Sequence, residues 1–255
     1  MKIVATIEAR MASTRFPGKV LKPVFGKPLL GLLIERLKRV ELIDEIVVAT
    51  TVNDKDDAIE SFCKNINVKC FRGSEEDVLK RVLDAAKSVN ADLIVEITGD
   101  CPLIDPDIAR ECIKLFLQGN YDYVSNGCLE KTLPDGLAVQ VFPVKVLEEV
   151  NSLTKNPVDH EHVSLYIYKH PEKYRLKNYR AEGELYWPEL AITLDTQGDY
   201  ELIKKIYEEL YPENNKFTAY DIVRLLRANT DLIALNNDPA RRDRYLKSIP
   251  REPKK

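Results

Sequence analysis

The chain has 255 residues, 44% of them hydrophobic and 31% charged, with a formal net charge of -3 and a pI near 5.8. That balance excludes a disordered or membrane-embedded chain, and it leaves no global positive field to recruit nucleic acid. Cys63, Cys70, Cys101, Cys112 and Cys128 are odd in number and lack C-x-x-C spacing, so they read as reduced core residues rather than a disulfide framework or zinc site. With no apolar signal-peptide core and no run of 18 apolar residues, the expected location is the cytoplasm, without membrane insertion.

Residues 2–7 (KIVATI) form a short β-branched apolar run, read as a buried strand, which stops at a polar loop over 8–28. Apolar residues on a helical period follow over 29–40, and EIVVATT at 45–51 reads as the second strand. The alternation continues with a helix over 54–65, a strand over 67–71, a helix over 75–89 and a strand over 92–97. A helix over 106–118 and a strand near 121–125 complete it. Such alternation predicts an α/β fold with a mostly parallel sheet covered on both faces and ligands beyond the carboxyl ends of the strands.

After residue 126 the pattern is irregular: a TLPDGL loop, a strand AVQVF, a helix over 143–150, a His-bearing helix over 159–169 and aromatic-rich strands through 193. Helices over 198–210 and 218–228 close the chain, and 236–255 reads as a polar tail. The organisation expected is one domain over 1–235. Its parts are a nucleotide-binding half (1–125), an acceptor-binding and dimerisation region (126–193) and a closing segment (194–235).

The loop over 8–28 concentrates chemistry. It carries Arg10, Arg15, Lys19, Lys22 and Lys27 with the hydroxyls of Ser13 and Thr14, and glycines at 18 and 26. Guanidinium forks, an ammonium, hydroxyls and accessible backbone N–H groups are the donors a triphosphate needs. Neither G-x-x-x-x-G-K-[ST] nor G-x-G-x-x-G is present, which argues against P-loop and dinucleotide-binding enzymes.

IEARMASTRFPGKVLKPVFGKPLL resembles the opening segment of the cytidylyltransferases that make CMP-activated sugar acids, such as the CMP-3-deoxy-manno-octulosonate and CMP-sialate synthetases. Through TGDCPLIDP, LPDGLAVQVF, DHEHVSLYIYKHPEKY, LAITLDTQGDYELI and FTAYDIVRLL the likeness runs to the branch called spore coat polysaccharide biosynthesis protein F. The resemblance implies the Rossmann-like three-layer sandwich of nucleotide-diphospho-sugar transferases. It also implies CTP phosphates held by Ala9, Arg10, Ser13, Thr14, Arg15 and Lys19, with Thr98 nearby, and a homodimer in some relatives.

Asp100 follows the strand DLIVEI, where a carboxylate can hold Mg²⁺ against nucleotide phosphates; the alternative is a turn or helix cap, for which Asp105 and Asp107 are better placed. Asp195 precedes a helix and could be its N-cap; the resemblance implies a second metal carboxylate, although Gln197 and Gly198 stand where the family has Pro and Glu. Catalysis is assigned to Arg10, Arg15, Lys19 and Asp100. Arg72, Ser74 and Asp77 read either as the pyrimidine-binding segment that the resemblance implies or as a helix-capping sequence. Asp135, Gln140, His162 and Tyr166 are assigned to the acceptor. The expected reaction is Mg²⁺-dependent transfer from CTP to an anionic sugar, with release of pyrophosphate. A same-fold transferase using another anionic acceptor and a non-catalytic nucleotide-binding protein are the alternatives.

Overall fold

In the computed structural model β1 (Ile3–Glu8) is buried on both faces along its first five residues, the environment that an unbroken β-branched run suits. The structure describes residues 1–236; the tail read over 236–255 lies, from 237 on, outside them. The loop after β1 is more ordered than the sequence suggests. It contains a 3-10 turn, Lys19–Leu21, and a hairpin of β2 (Pro23–Val24) with β3 (Lys27–Pro28). Phe25 and Gly26 close that hairpin with φ of 51° and 69°, the paired positive values that a two-residue turn requires.

The regular alternation then follows as α1 (Leu29–Leu37), β4 (Glu45–Thr51), α2 (Asp57–Asn65), β5 (Lys69–Gly73), α3 (Val78–Ser88), β6 (Leu93–Thr98), α4 (Pro106–Gln118) and β7 (Tyr123–Ser125). Every predicted element of this half exists, with ends displaced by less than about one helical turn. The second half adds β8 (Gln140–Pro143), α5 (Val144–Leu153), α6 (Pro157–Glu161), α7 (Leu165–Lys169), β9 (Leu176–Asn178), α8 (Gln197–Leu210), α9 (Ala219–Ala228) and α10 (Thr230–Ala234).

One seven-stranded sheet, in the order β5-β4-β1-β6-β8-β7-β9, carries these elements. The β5, β4, β1 and β6 strands are mutually parallel, β8 inserts antiparallel between β6 and β7, and β9 runs parallel to β7. One core, with α1, α4, α8 and α9, covers one face; α3, α5 and α7 cover the other.

Two expectations for the irregular half need correction. The helix over 159–169 is broken into α6 and α7, because Val163 adopts φ 47° while its side chain, 1% exposed, packs in the second core. A left-handed β-branched residue is costly, and helical periodicity carries no sign of it. Among the described residues the aromatic strands through 193 reduce to β9 and a single bridge between Asp135 and Ala191. Pro188 has no N–H for a ladder, and Tyr179 and Trp187 pack against the first core instead.

The closing helices are pinned by polar groups. Asp105, before Pro106, is the N-cap of α4: Oδ1 accepts from the N–H groups of Asp107 (2.8 Å) and Ile108 (3.0 Å). Its Oδ2 accepts from the Ala219 N–H at 2.6 Å, at the start of α9. Buried Arg36 donates to the carbonyls of Ile104 (2.5 Å) and Phe217 (3.0 Å) and lies over the Phe217 ring. Asp105→Ala removes a cap and orphans a buried N–H, so it is expected to lower stability by about 2 to 4 kcal/mol in urea unfolding.

Candidate functional site

The polar loop begins where β1 leaves the sheet, and a buried carboxylate fixes its course. Asp56, 1% exposed, accepts from the Met11 N–H at 2.7 Å, from the Thr51 N–H at 3.2 Å and from the Thr51 hydroxyl. This fastens the start of the loop to the end of β4. On the other side the Gly99 N–H donates to the Glu8 carbonyl at 2.8 Å, and a Cβ at Gly99 would stand 2.5 Å from that oxygen. No other residue permits so close an approach of the two backbones.

The loop, the turn after β6 and the segment before α8 enclose a cleft of about 300 Å³ at the carboxyl ends of the strands. Ala9, Arg10, Ser13, Thr14, Arg15, Lys19, Thr98, Asp100, His162 and Asp195 all line it, as do Glu8, Arg81 and Glu161. A larger groove of about 730 Å³ lies at the opposite ends of β4 and β5, among Lys38, Lys64, Lys69 and their acidic neighbours, and contains none of the expected site residues.

Lys19 organises the cleft. Its Nζ donates to the Leu194 carbonyl (2.7 Å) and to Asp195 Oδ1 (2.9 Å) and stands 3.6 Å from Asp100. Arg15 Nη2 reaches the same Asp195 oxygen at 2.7 Å. Two carboxylates that far apart in sequence are thus brought to one ammonium, with a backbone bond from the Leu194 N–H to the Asp100 carbonyl (2.8 Å) holding them in place.

The N-cap of α8 is Thr196, in a capping box with Asp199, so Asp195 is not the cap. Its carboxylate faces the cations. Gly198 has a local reason: a Cβ there would stand 2.4 Å from the Leu235 carbonyl just beyond α10. Asp100 and Asp195 suit a divalent cation as donors, because they are hard oxygens already sharing one positive charge. Among the described residues no cluster of three or more His, Cys, Asp or Glu could hold a metal. A metal here would take oxygens from a ligand as well.

Several expected site residues are not brought to the cleft. Arg72 turns onto α2, with Nη1 2.5 Å from Asp57 and 2.8 Å from Glu60. Ser74 accepts from the Asp77 N–H (3.0 Å), and Asp77 caps α3 through the Lys80 N–H (2.9 Å), the capping alternative of the sequence. Asp135 pairs with Lys131 at 3.4 Å. Gln140 accepts from the Tyr123 hydroxyl (2.7 Å) and from Ser164. Tyr166 stacks on His170 at 3.9 Å between ring centroids. Of the acceptor residues only His162 lines the cleft, beside Glu161. Glu8 and Arg81 have no role in the sequence reading: the first stands there at the start of the polar loop rather than at the end of β1, and the second is one of several charged residues of the helix over 75–89.

A family profile described as cytidylyltransferase matches residues 4–226. The spore coat polysaccharide biosynthesis protein SpsF of Bacillus subtilis is 33% identical over 234 residues, 90% of this chain and 95% of SpsF. A 3-deoxy-manno-octulosonate cytidylyltransferase of Geobacter metallireducens is 39% identical over 113 residues, 44% of each chain. The solved structure of a cytidylyltransferase from Leptospira borgpetersenii superposes with a TM-score of 0.86 at 36% identity, covering 91% of this chain and 97% of that one.

Beside the cleft, His160 joins the two halves of the chain. Its Nδ1 lies 2.7 Å from the Asp77 carboxylate and its Nε2 3.0 Å from the Thr154 carbonyl, so both ring nitrogens face acceptors. That arrangement suits the imidazolium. Burial pushes the His160 pKa down, but the hydrogen bonds to Asp77 and Thr154 outweigh it and raise it above the ordinary 6.5. A raised pKa contributes stability fully below 6.5, and the contribution is lost as pH rises through the folded-state value. The stability difference between wild type and His160→Gln is therefore expected to be largest below pH 6.5 and to shrink as pH rises past it, measured by urea unfolding at a series of pH values.

Proposed function

The chain belongs to the cytidylyltransferase family, and we propose that it transfers CMP from CTP to an acidic sugar, with release of pyrophosphate and with Mg²⁺ as the metal. The observation that carries this reading is the set of charges around Lys19: two cations of the loop after β1 facing two carboxylates from distant segments, in a cleft at the strand ends. Triphosphate and metal together present the complementary charges. The acidic sugar is supported by the names of the relatives, one in polysaccharide biosynthesis and one acting on 3-deoxy-manno-octulosonate.

In this mechanism Arg15 and Lys19 exchange their carboxylate partners for phosphate oxygens, with Arg10, Ser13, Thr14 and the backbone at Ala9 completing the cradle. Asp100 and Asp195 would hold Mg²⁺, which supplies Lewis-acid stabilisation of phosphate charge. An oxygen of the acceptor attacks the α-phosphorus in line with the departing pyrophosphate, whose charge Arg15 and Lys19 stabilise. Positioning and electrostatics carry the step, and no covalent enzyme intermediate is formed. His162 faces the acceptor, and residues 126–193 set its identity, within one domain over 1–235.

A panel of sugar acids incubated with CTP and Mg²⁺, read as pyrophosphate release, tests the proposal. Asp100→Asn and Asp195→Asn are expected to lower turnover by about a hundredfold or more while the protein stays folded. Arg15→Ala and Lys19→Ala should each weaken CTP binding by about 1.5 to 3 kcal/mol in calorimetry. A folded double variant with wild-type CTP affinity would refute the phosphate-binding role of the loop.

A further inference from the structure

Parallel pairing sets Thr6 beside Glu96 and Glu8 beside Thr98, so the Glu8 and Glu96 side chains share one face of neighbouring strands. It is the face covered by α3, and Arg81 of that helix lines the cleft together with Glu8. The two carboxyls are diagonal neighbours across the β1–β6 pair. Among the described residues no donor reaches Glu8 Oε1 or Glu96 Oε2, and both atoms are buried. Two carboxylates cannot satisfy one another, so a proton lies between them.

Glu96, 3% exposed and beside Ser164, is the member that keeps the proton; Glu8 is the member that Arg81 favours as the anion. Burial raises both carboxyls, Glu8 to about 7 against the opposing influences of Arg81 and Glu96, with Asp100 adding to the rise. Arg81 is also 3% exposed, and its Nη1 is anchored on the carbonyls of Ser74 and Glu75. The cleft wall thus presents the Glu8 carboxyl together with an anchored guanidinium. Arg10, Arg15, Lys19, Asp100, Glu161, His162 and Asp195 are the other charged or titratable groups around it.

We propose that Glu8 and Arg81 select cytosine over uracil in the bound nucleotide, with Glu96 as the positioning residue that holds Glu8; this rests on the nucleotidyl-transfer reading above. Cytosine presents an amino donor at C4 beside acceptors at N3 and O2, whereas uracil presents an acceptor at C4 beside an N3–H donor. A carboxylate next to a guanidinium matches the first pattern and opposes the second. The residues that the sequence suggests for the base are engaged elsewhere: Arg72 with Asp57 and Glu60, Ser74 at the start of α3, and Asp77 with Lys80 and His160. The segment around Ser74 acts through its carbonyl, by anchoring Arg81.

Calorimetric titration of the full chain with CTP and with UTP, each with Mg²⁺, tests the assignment. Wild type is expected to prefer CTP, and Glu8→Gln to reduce that preference about tenfold or more, because its amide offers a donor to uracil O4. Glu96→Gln should retain the preference, since its amide still donates to Glu8, whereas Glu96→Leu should lose it. Arg81→Gln gives the same readout if Glu8→Gln does not fold. An unchanged ratio of CTP to UTP affinity in a folded Glu8→Gln or Arg81→Gln variant overturns the assignment. Wild-type protein that binds neither nucleotide overturns the transfer reading instead.

Discussion

Two carboxylates in one cleft repel unless a cation stands between them, and Lys19 is that cation. Its ammonium joins the loop after β1 to Asp100 beyond β6 and to Asp195 ahead of α8, reaching across 175 and 176 residues to Leu194 and Asp195. The rest of the site follows from satisfying this contact. Asp56 must hold the loop at Met11, Gly99 must let β1 and the Asp100 turn approach, and Thr196 must take over the capping of α8 so that the Asp195 carboxylate stays with the cations.

The first half of the fold is legible in the sequence because β1, β4, β6 and β7 are buried on both faces and the helices between the strands present an apolar stripe. Those are the two patterns that local periodicity records. The loop after β1 is legible for a different reason, its density of Arg, Lys, Ser, Thr and Gly at a strand end. What local pattern cannot record is the partner of a side chain. Arg72 looks as suitable for a ligand as Arg15, yet the carboxylates of α2 claim it, and Gln140 is drawn into a buried network with Tyr123 and Ser164. Glu8 and Arg81 illustrate the converse, since only the β1–β6 register and the packing of α3 bring them to one wall.

The two faces of the sheet divide the work. The α3 face carries a buried polar lane through Glu8, Glu96, Gln140 and Ser164, which ends near the break between α6 and α7. Placing Val163 in the left-handed region costs on the order of 1 to 3 kcal/mol, and it is held there by core packing on one side of a short segment whose other side includes His162 at the cleft. His160, one turn earlier, binds that segment to the cap of α3. The α6–α7 segment and the start of α3 are therefore mechanically joined beside the cleft.

The bond from Arg36 to the Phe217 carbonyl spans 181 residues, and it bears on the order in which the chain can acquire its structure. During synthesis the sheet strands β1, β4, β5 and β6 are complete early, but the apolar flank formed by α1 and α4 is not closed until Phe217, Ile222, Val223 and Leu226 emerge. A nascent chain that has passed the loop after β1 and both cleft carboxylates still has an open hydrophobic side and an unanchored Arg36, a state exposed to aggregation at the ribosome. The emergence of α9 thus governs how long the newly made protein needs shielding.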